Sequence, residues 1–227
     1  MFDLVFQNED FLVIDKHPGI SVHKDDNAQP LLASVGQLTG DKQLYLIHRL
    51  DKMTSGLLLL GRHQAAASAL SSLFAAREVG KFYLAIAAKK PTKKQGTIIG
   101  DMAKSRRSMW KLLPSRENPA VTQFFSTSVG EGRRAFLCKP FTGKTHQIRV
   151  ALKSVGSAIL GDDIYGGLEA DRGYLHAYAL AFWHAGEHYQ FIQPPRIGEQ
   201  WAEIPEDWQS PSLLAWPTLP HKKTKVQ

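Results

Sequence analysis

The chain has 227 residues, of which 43% are hydrophobic, and a formal net charge of +7 at pH 7. This length and composition fit a folded protein with a core, and no apolar run reaches the ~18 residues of a membrane span. The N-terminus shows no signal peptide, and the single cysteine excludes an internal disulfide or a cysteine-cluster metal site. We therefore expect a cytoplasmic protein, and the basic charge favours a polyanionic partner such as nucleic acid.

The first half of the chain is predicted to consist mainly of strands. Apolar runs bounded by turn residues favour strands at 2–6, 11–16, 45–50, 57–61 and 81–88. Between the last two, residues 64–77 carry Ala, Leu and Phe with neither Gly nor Pro, which predicts a helix. Residues 89–111 contain eight Lys or Arg residues against one Asp, and we expect a basic, partly irregular segment there.

The second half is predicted to contain two strand pairs and one helix. The strand pairs are expected at 121–129 with 134–139 and at 175–183 with 188–193. Residues 145–155 have the apolar spacing of a helix. Many strands with two clear helices predict an α+β fold, with a largely antiparallel mixed sheet and flanking helices. Residues 1–210 are expected to form one domain, and 211–227 a Pro-rich and then basic tail that frays or wraps the surface.

The most informative motif is HRLDKMTSGLLLL at 48–60, which places an Arg and an Asp two residues apart between two predicted strands. Polar groups at the ends of buried strands are common places for active sites. Together with four later or earlier elements, this motif resembles, in order, the motifs of RluA-type RNA pseudouridine synthases. Those elements are DKHPG at 15–19, KFYLA at 81–85, TGKTHQIR at 142–149, and GDDIYG at 161–166 with LHA at 175–177.

The resemblance implies an isomerase with a central catalytic cleft, which breaks the glycosidic bond of a uridine in RNA and reattaches the base through its carbon 5. It implies Asp51 as the nucleophile or base, Arg149 as its ion-pair partner, and Tyr83 as the ring that stacks on the base. An ionised carboxylate can attack the sugar carbon or remove the neighbouring sugar proton. A guanidinium keeps that carboxylate charged inside a pocket. The chemistry needs neither a redox cofactor nor a metal.

A uridine in a helical RNA must leave the stack before a carboxylate can reach it. By the resemblance, Arg49 fills the gap that the base leaves, and cations near the cleft contact phosphates. At position 144 the family more often has arginine, and Lys144 keeps the charge but loses the bidentate fork. The predicted substrate-binding residues are Arg49, Lys81, Lys144, His146, Ile148, Arg106 and Arg107.

Two other interpretations stay open at this point. A non-catalytic RNA-binding protein or RNA chaperone could use the same fold, and a hydrolase of a small nucleoside could use Asp51 as its nucleophile. Both tRNA and rRNA are possible substrates, no S4-type RNA-binding module is visible, and no membrane or obligate protein partner is expected. A monomer is the default expectation. The pattern HAGEH at 184–188 mimics a zinc motif, but it falls where a hairpin tip is predicted.

Overall fold

A computed structural model describes residues 1–22, 31–106 and 108–219 of the chain. In these ranges it contains twelve strands, three α-helices and two short 3-10 helices. The strands are β1 (Phe2–Gln7), β2 (Phe11–Lys16), β3 (Tyr45–Leu46), β4 (Ser55–Gly61), β5 (Gly80–Ala87), β6 (Gln95–Gly100), β7 (Met102–Lys104), β8 (Trp110–Leu112), β9 (Ala120–Ser128), β10 (Arg134–Pro140), β11 (Leu175–His184) and β12 (Glu187–Ile192). The helices are α1 (Leu31–Thr39), α2 (Gln64–Ala76) and α3 (Gln147–Ser154), and the 3-10 helices are Glu206–Gln209 and Pro211–Leu213.

Ten of these strands form one mixed sheet. Its order is β1-β2-β4-β11-β5-β10-β9-β6, with β3 beside β4 and β12 beside β11. In the described part of the chain, β4 with β11 is the one parallel pair of this sheet, and the other pairs are antiparallel. β7 and β8 form a separate two-stranded hairpin. The predicted α+β fold with a largely antiparallel sheet is therefore confirmed.

The four consecutive leucines of β4 are buried because both faces of this strand are covered. Leu57 and Leu59 pack in a cluster with Leu70 of α2, whereas Leu58 and Leu60 pack in a second cluster with residues of α1. Complete burial of one leucine side chain contributes about 1.5–3 kcal/mol. The strand that leads out of the Asp51 motif is thus fixed by a helix on each side, which gives the motif a rigid base.

Helix α1 was not predicted, and the two predicted helices are present as α2 and α3. The sequence of α1 has neither acidic residues in its first turn nor basic residues in its last, and Gly36 interrupts it. A glycine inside a helix costs about 1 kcal/mol relative to alanine, so it weakens the helical signal. Packing explains its presence, since a Cβ at this position would lie 2.6 Å from the carbonyl oxygen of Asp41.

Strand β3 is shorter than the predicted strand at 45–50, because the chain leaves the sheet after Leu46. β3 and β11 share one edge of β4, with β3 at Leu60 and Gly61 and β11 near the other end. Between them, Nε2 of His48 accepts the backbone N–H of Leu59 at 3.0 Å. Burial, and then the charge of Lys81, lower the pKa of His48 to about 3, so the ring is neutral and able to accept. The His48 side chain thus accepts a hydrogen bond that a neighbouring strand would otherwise accept, and the chain after Leu46 continues outside the sheet toward Asp51.

The segment at 89–111 is more regular than predicted, since it contains β6, β7 and the first residues of β8. β6 pairs with β9 at the edge of the large sheet. β6 (QGTIIG) contains two glycines and follows a run of lysines, and both features weakened its strand signal. Arg107 lies outside the described residues, and Arg106 is exposed in the turn between β7 and β8.

Trp216, in the segment of residues 211–219, packs against the sheet. The ring of Trp216 is 4.6 Å from that of Phe125 and 5.9 Å from that of Phe82, measured between centroids. The ammonium of Lys139 lies 5.4 Å from the centroid of the Trp216 ring. Residues 220–227 lie outside the described residues, and the domain boundary at residue 210 stays a prediction. In the described part of the chain, no helix is both long and apolar enough to cross a membrane.

Candidate active site

A cleft of about 1300 Å³ opens beside the loop that carries Asp51. The loop of residues 46–54 forms one wall, and the turn that precedes α3 forms another. Eight of the ten predicted site residues line this cleft, namely Arg49, Asp51, Lys81, Tyr83, Lys144, His146, Ile148 and Arg149. Arg106 is exposed on the β7–β8 hairpin instead, and Arg107 lies outside the described residues.

The Asp51 loop ends in a tight turn into β4. The backbone N–H of Thr54 donates to the carbonyl of Asp51 at 2.9 Å. Gly56 then allows β4 and β11 to approach, since its φ is +109° and a Cβ would lie 2.3 Å from the backbone oxygen of Ala177. The Thr-Ser-Gly sequence after Asp51 thus places the carboxylate where the two strands meet. The Asp51 side chain is 28% exposed, so it is open to the cleft.

Arg149 joins Asp51 to a second carboxylate. Its Nη1 donates to Oδ2 of Asp51 at 3.1 Å, and its Nε and Nη2 donate to the two oxygens of Asp162 at 2.7 and 2.8 Å. Burial acts to lower the pKa of Arg149, but the hydrogen bonds and charge of Asp162, followed by Asp51, outweigh it and raise the pKa. The guanidinium is 4% exposed and Asp162 is fully buried. The fork to Asp162 therefore fixes the direction from which Arg149 meets Asp51.

Tyr83 of β5 lies in the cleft wall near Asp51. Burial, and then the charge of Asp51, raise the pKa of its phenol. The hydroxyl is therefore protonated at neutral pH, and the half-buried ring offers an apolar surface to a ligand. This arrangement combines an open carboxylate, a charged guanidinium and an aromatic ring in one cleft.

Two of the predicted substrate-binding residues are largely engaged with the protein itself. Nζ of Lys81 donates to the carbonyl of Thr142 at 3.3 Å and lies 5.9 Å from the centroid of the Phe74 ring. Burial lowers the pKa of Lys81. Ile148 is a buried member of the main core cluster, so it supports the cleft wall more than it faces the opening. Their predicted contacts with substrate stay predictions.

Gln147 holds the turn that presents Lys144 and His146. Its Oε1 accepts the hydroxyl of Thr142 at 2.6 Å and the backbone N–H of Lys144 at 3.1 Å. Its Nε2 donates to the hydroxyl of Thr122 at 2.9 Å. The side chains of Lys144 and His146 are partly exposed, and both line the cleft. They are available to a substrate in a way that Lys81 is not.

Sequence reasoning missed a buried lysine beneath the Asp51 loop. Nζ of Lys16 donates to the carbonyls of Ile20 at 2.8 Å, His17 at 3.0 Å and Lys52 at 3.4 Å. Lys16 is completely buried, and Lys52 directly follows Asp51. The only sequence signal was the match of DKHPG to a family element, which indicates no contact. Asp162 was likewise part of a matched motif without an assigned partner.

The HAGEH pattern lies at the tip of the β11–β12 hairpin, as predicted, with His184 paired to Glu187 across the strands. A hairpin directs alternate side chains to opposite faces, unlike the helical face that the zinc motif requires. Among the described residues, no group of His, Cys, Asp or Glu side chains could hold a metal ion.

Residues 10–154 match the family model described as RNA pseudouridylate synthase. The chain belongs to the RNA pseudouridylate synthase family. A Haemophilus influenzae protein named "uncharacterized RNA pseudouridine synthase" is 46% identical over 201 residues, which cover 88% of this chain and 90% of that protein. The ribosomal large subunit pseudouridine synthase D of Zymomonas mobilis is 31% identical over 233 residues, covering 91% of this chain and 70% of its own. The resemblance to RluA-type synthases is thereby confirmed.

A solved structure supports the same family assignment. Human RNA pseudouridylate synthase domain containing 1 aligns with a TM-score of 0.73 and 26% identity, over 86% of this chain and 84% of that chain. Members of the family are isomerases that convert uridine in RNA to pseudouridine. This chain is accordingly an RNA pseudouridine synthase, and RNA is its substrate class.

Proposed function

We propose that this protein converts specific uridines of tRNA or rRNA to pseudouridine in the cleft beside Asp51. Asp51 is the nucleophile or base, Arg149 is its ion-pair partner, and Tyr83 stacks on the base. The observation that carries this proposal is the 3.1 Å contact between Arg149 and a carboxylate that stays open to the cleft. The second contact of Arg149, to buried Asp162, keeps the guanidinium in place when substrate enters.

The reaction breaks the bond between N1 of uracil and C1′ of the ribose and forms a bond between C5 and C1′. The proton leaves C5, and N1 gains one, so the change is an isomerisation without an oxidant. Ionised Asp51 either bonds to C1′ or removes the neighbouring sugar proton. The hydrogen bond from Arg149 restricts the orientation of this carboxylate. The protonated Tyr83 hydroxyl and ring lie near Asp51, on the path of the detached base.

The size and charge of the cleft favour a polymer over a free nucleoside. A volume of about 1300 Å³ exceeds the roughly 300–1,000 Å³ of typical small-molecule pockets. Arg49, Lys144 and His146 line it and offer donors to phosphates, and Arg106 adds an exposed charge on the nearby hairpin. A free uridine would leave these donors unused. The proposed substrate is therefore a uridine extruded from folded RNA.

The test is a pseudouridine map of total RNA from cells with and without the gene, followed by assays of purified protein on the unmodified RNA. Wild-type protein is expected to restore one or a few sites. Asp51→Asn should lower the rate at least about 1000-fold, since it removes the reacting charge with little change in shape. The exposed residue Asp207 gives a matched control, Asp207→Asn, which should retain full activity.

Three results would contradict the proposal in different ways. Full activity of Asp51→Asn would remove Asp51 from the reaction while leaving the enzyme class intact. An unchanged map together with inactive wild-type protein would favour the RNA-binding interpretation. Activity on free uridine, and none on RNA, would favour the nucleoside hydrolase.

A further inference from the structure

Tyr165 connects three parts of the molecule around the cleft. It lies in the loop between α3 and β11, and it is 2% exposed. Its hydroxyl is 2.8 Å from Nδ1 of His146 and 2.9 Å from the backbone nitrogen of Trp110. The guanidinium carbon of Arg149 lies 5.1 Å from the centroid of its ring. One buried side chain thus contacts a cleft residue, the β7–β8 hairpin and the partner of Asp51.

The hydrogen bonds of the Tyr165 hydroxyl favour one tautomer of His146. The oxygen accepts the N–H of Trp110, since a backbone N–H can only donate. With that acceptor role filled, the hydroxyl is placed to donate its own proton to Nδ1 of His146, 2.8 Å away. A neutral imidazole that accepts at Nδ1 carries its own proton at Nε2. Burial lowers the pKa of His146, which favours this neutral form.

His146 is held in a conformation that its own backbone disfavours. It has a φ of +56° and a ψ of 20°, in the left-handed region, where a residue with a Cβ pays about 1–2 kcal/mol. Such strain persists only where the surroundings fix it, and it is common at functional sites. Nε2 has no hydrogen-bond partner among the described residues, although the ring lines the cleft. The donor at Nε2 is free for a ligand.

The second bond of Tyr165 reaches the root of the basic hairpin. Trp110 is the first residue of β8, and Nζ of Lys104 on the paired strand lies 6.0 Å from the centroid of its ring. Arg106 follows in the turn of the same hairpin. The Tyr165 hydroxyl therefore connects the basic β7–β8 hairpin to His146, whose ring lines the cleft.

We propose that Tyr165 is a positioning residue that directs the Nε2–H of His146 toward RNA in the cleft and joins this donor to the basic β7–β8 hairpin. The inference rests on the proposed function, in which RNA occupies the cleft. Tyr165 itself touches no reacting atom. Its effect is on how tightly RNA is held, and the chemical step at Asp51 proceeds with the residues already described.

The first test is the tautomer of His146, measured by 15N NMR of the free protein. Wild type should show Nε2 protonated and Nδ1 unprotonated. Tyr165→Phe keeps the ring on Arg149 and removes the hydroxyl, so a population with Nδ1 protonated should appear. Tyr174→Phe is the matched control, because the Tyr174 hydroxyl also accepts a backbone N–H, from Gln200, and donates to a carboxylate, Asp171. An unchanged tautomer in Tyr165→Phe would overturn the inference.

The second test is a double-mutant cycle on pseudouridine formation, with total RNA from cells lacking the gene. Tyr165→Phe and His146→Ala should each raise the apparent KM for this RNA about 5- to 10-fold, the size expected for the net contribution of one hydrogen bond, with kcat within about twofold. The double variant should match His146→Ala alone, because both changes remove the same donor. Additive effects would show that Tyr165 acts elsewhere and would overturn the inference.

The two tests separate this inference from the proposed function. Inactive wild-type protein would remove the proposed function, whereas the NMR measurement would still decide whether Tyr165 fixes His146. Active wild type with equal KM values in Tyr165→Phe and Tyr174→Phe would remove the inference alone. Equal unfolding free energies of these two variants would exclude a general loss of stability as the cause.

Discussion

Two networks of buried cationic side chains flank the Asp51 loop, and their hydrogen-bond partners differ in kind. On one side, Arg149 contacts the carboxylates of Asp51 and Asp162. On the other side, Lys16 donates to three backbone carbonyls, and Arg172 donates to the carbonyls of Gly173, Leu175 and Ile197 and to the hydroxyl of Ser55. The first network pairs charges, whereas the second uses charges to hold neutral backbone.

The pKa values of the two networks move in opposite directions. Carboxylate partners raise the pKa of Arg149 above its usual value despite burial. Burial, together with the charge of Arg172, lowers the pKa of Lys16 to about 7, and burial lowers that of Arg172 to about 10. Ion pairing thus occurs at the carboxylate proposed to react, whereas binding to carbonyls occurs where the backbone of the Asp51 loop is held in place.

The largest effect is expected from breaking the charge-paired network with Arg149→Met. This change leaves Asp162 buried without its partner and should lower the free energy of unfolding by about 3–5 kcal/mol. Urea denaturation measures it. Folded Arg149→Met should also lose most activity, because Asp51 loses its guanidinium. Arg149→Lys keeps a charge without the fork and should be less destabilised, and a loss below about 1 kcal/mol in Arg149→Met would contradict the role given to Asp162.

A smaller effect is expected from breaking the carbonyl-binding network with Lys16→Met. The methionine is of similar length, and it leaves backbone carbonyls unpaired but breaks no ion pair, so the loss should be about 1–3 kcal/mol. The control is Lys42→Met, a change at an exposed lysine, which should stay within about 0.5 kcal/mol of wild type. A loss for Lys16→Met as large as that for Arg149→Met would remove the distinction between the networks.

The stability difference between wild type and Lys16→Met should depend on pH in one direction. The pKa of Lys16 is about 7 in the folded state and near 10.5 in the unfolded state, so the unfolded chain binds more protons between these values. The contribution of Lys16 to the free energy of unfolding therefore rises as the pH increases from 7 toward 10.5. Below pH 7 the free-energy cost of burying the charged ammonium is fully present. The unfolding free energy of wild type minus that of Lys16→Met should increase over this range. A flat difference would show that Lys16 keeps an ordinary pKa.

The smallest effect is expected from an exposed cation, which extends the comparison to a charge outside both networks. Arg106→Gln should leave stability unchanged within about 0.5 kcal/mol and weaken RNA binding modestly. The slope of log K against log salt should fall by about 1 if Arg106 contacts a phosphate. Filter binding at several salt concentrations measures this slope, with Arg196→Gln as an exposed control. Identical slopes would remove Arg106 from the RNA-binding surface.

Most strands and the two strongly patterned helices could be predicted from local sequence, because the spacing of apolar residues along the chain differs between strands and helices. The leucine run of β4 is an example, since a short apolar run bounded by turn residues is typical of a strand covered on both faces. Helix α1 could not be predicted, because Gly36 is explained by the backbone of Asp41, which only the folded chain brings near. The strands after β5 were missed because β6 contains two glycines and β7 and β8 are each three residues long.

For the site, the sequence by itself determined the chemical groups, and the resemblance of its motifs to a known family indicated which of them matter. The tertiary structure decided which groups meet. Arg149 reaches Asp51 across 98 residues, Tyr165 reaches Trp110 across 55, and Lys16 reaches the carbonyl of Lys52 across 36. Contacts at such separations leave no periodic trace in either segment, because each depends on how the sheet brings two loops together. The carboxylate of Asp51 was therefore visible in the sequence, whereas its surroundings required the fold.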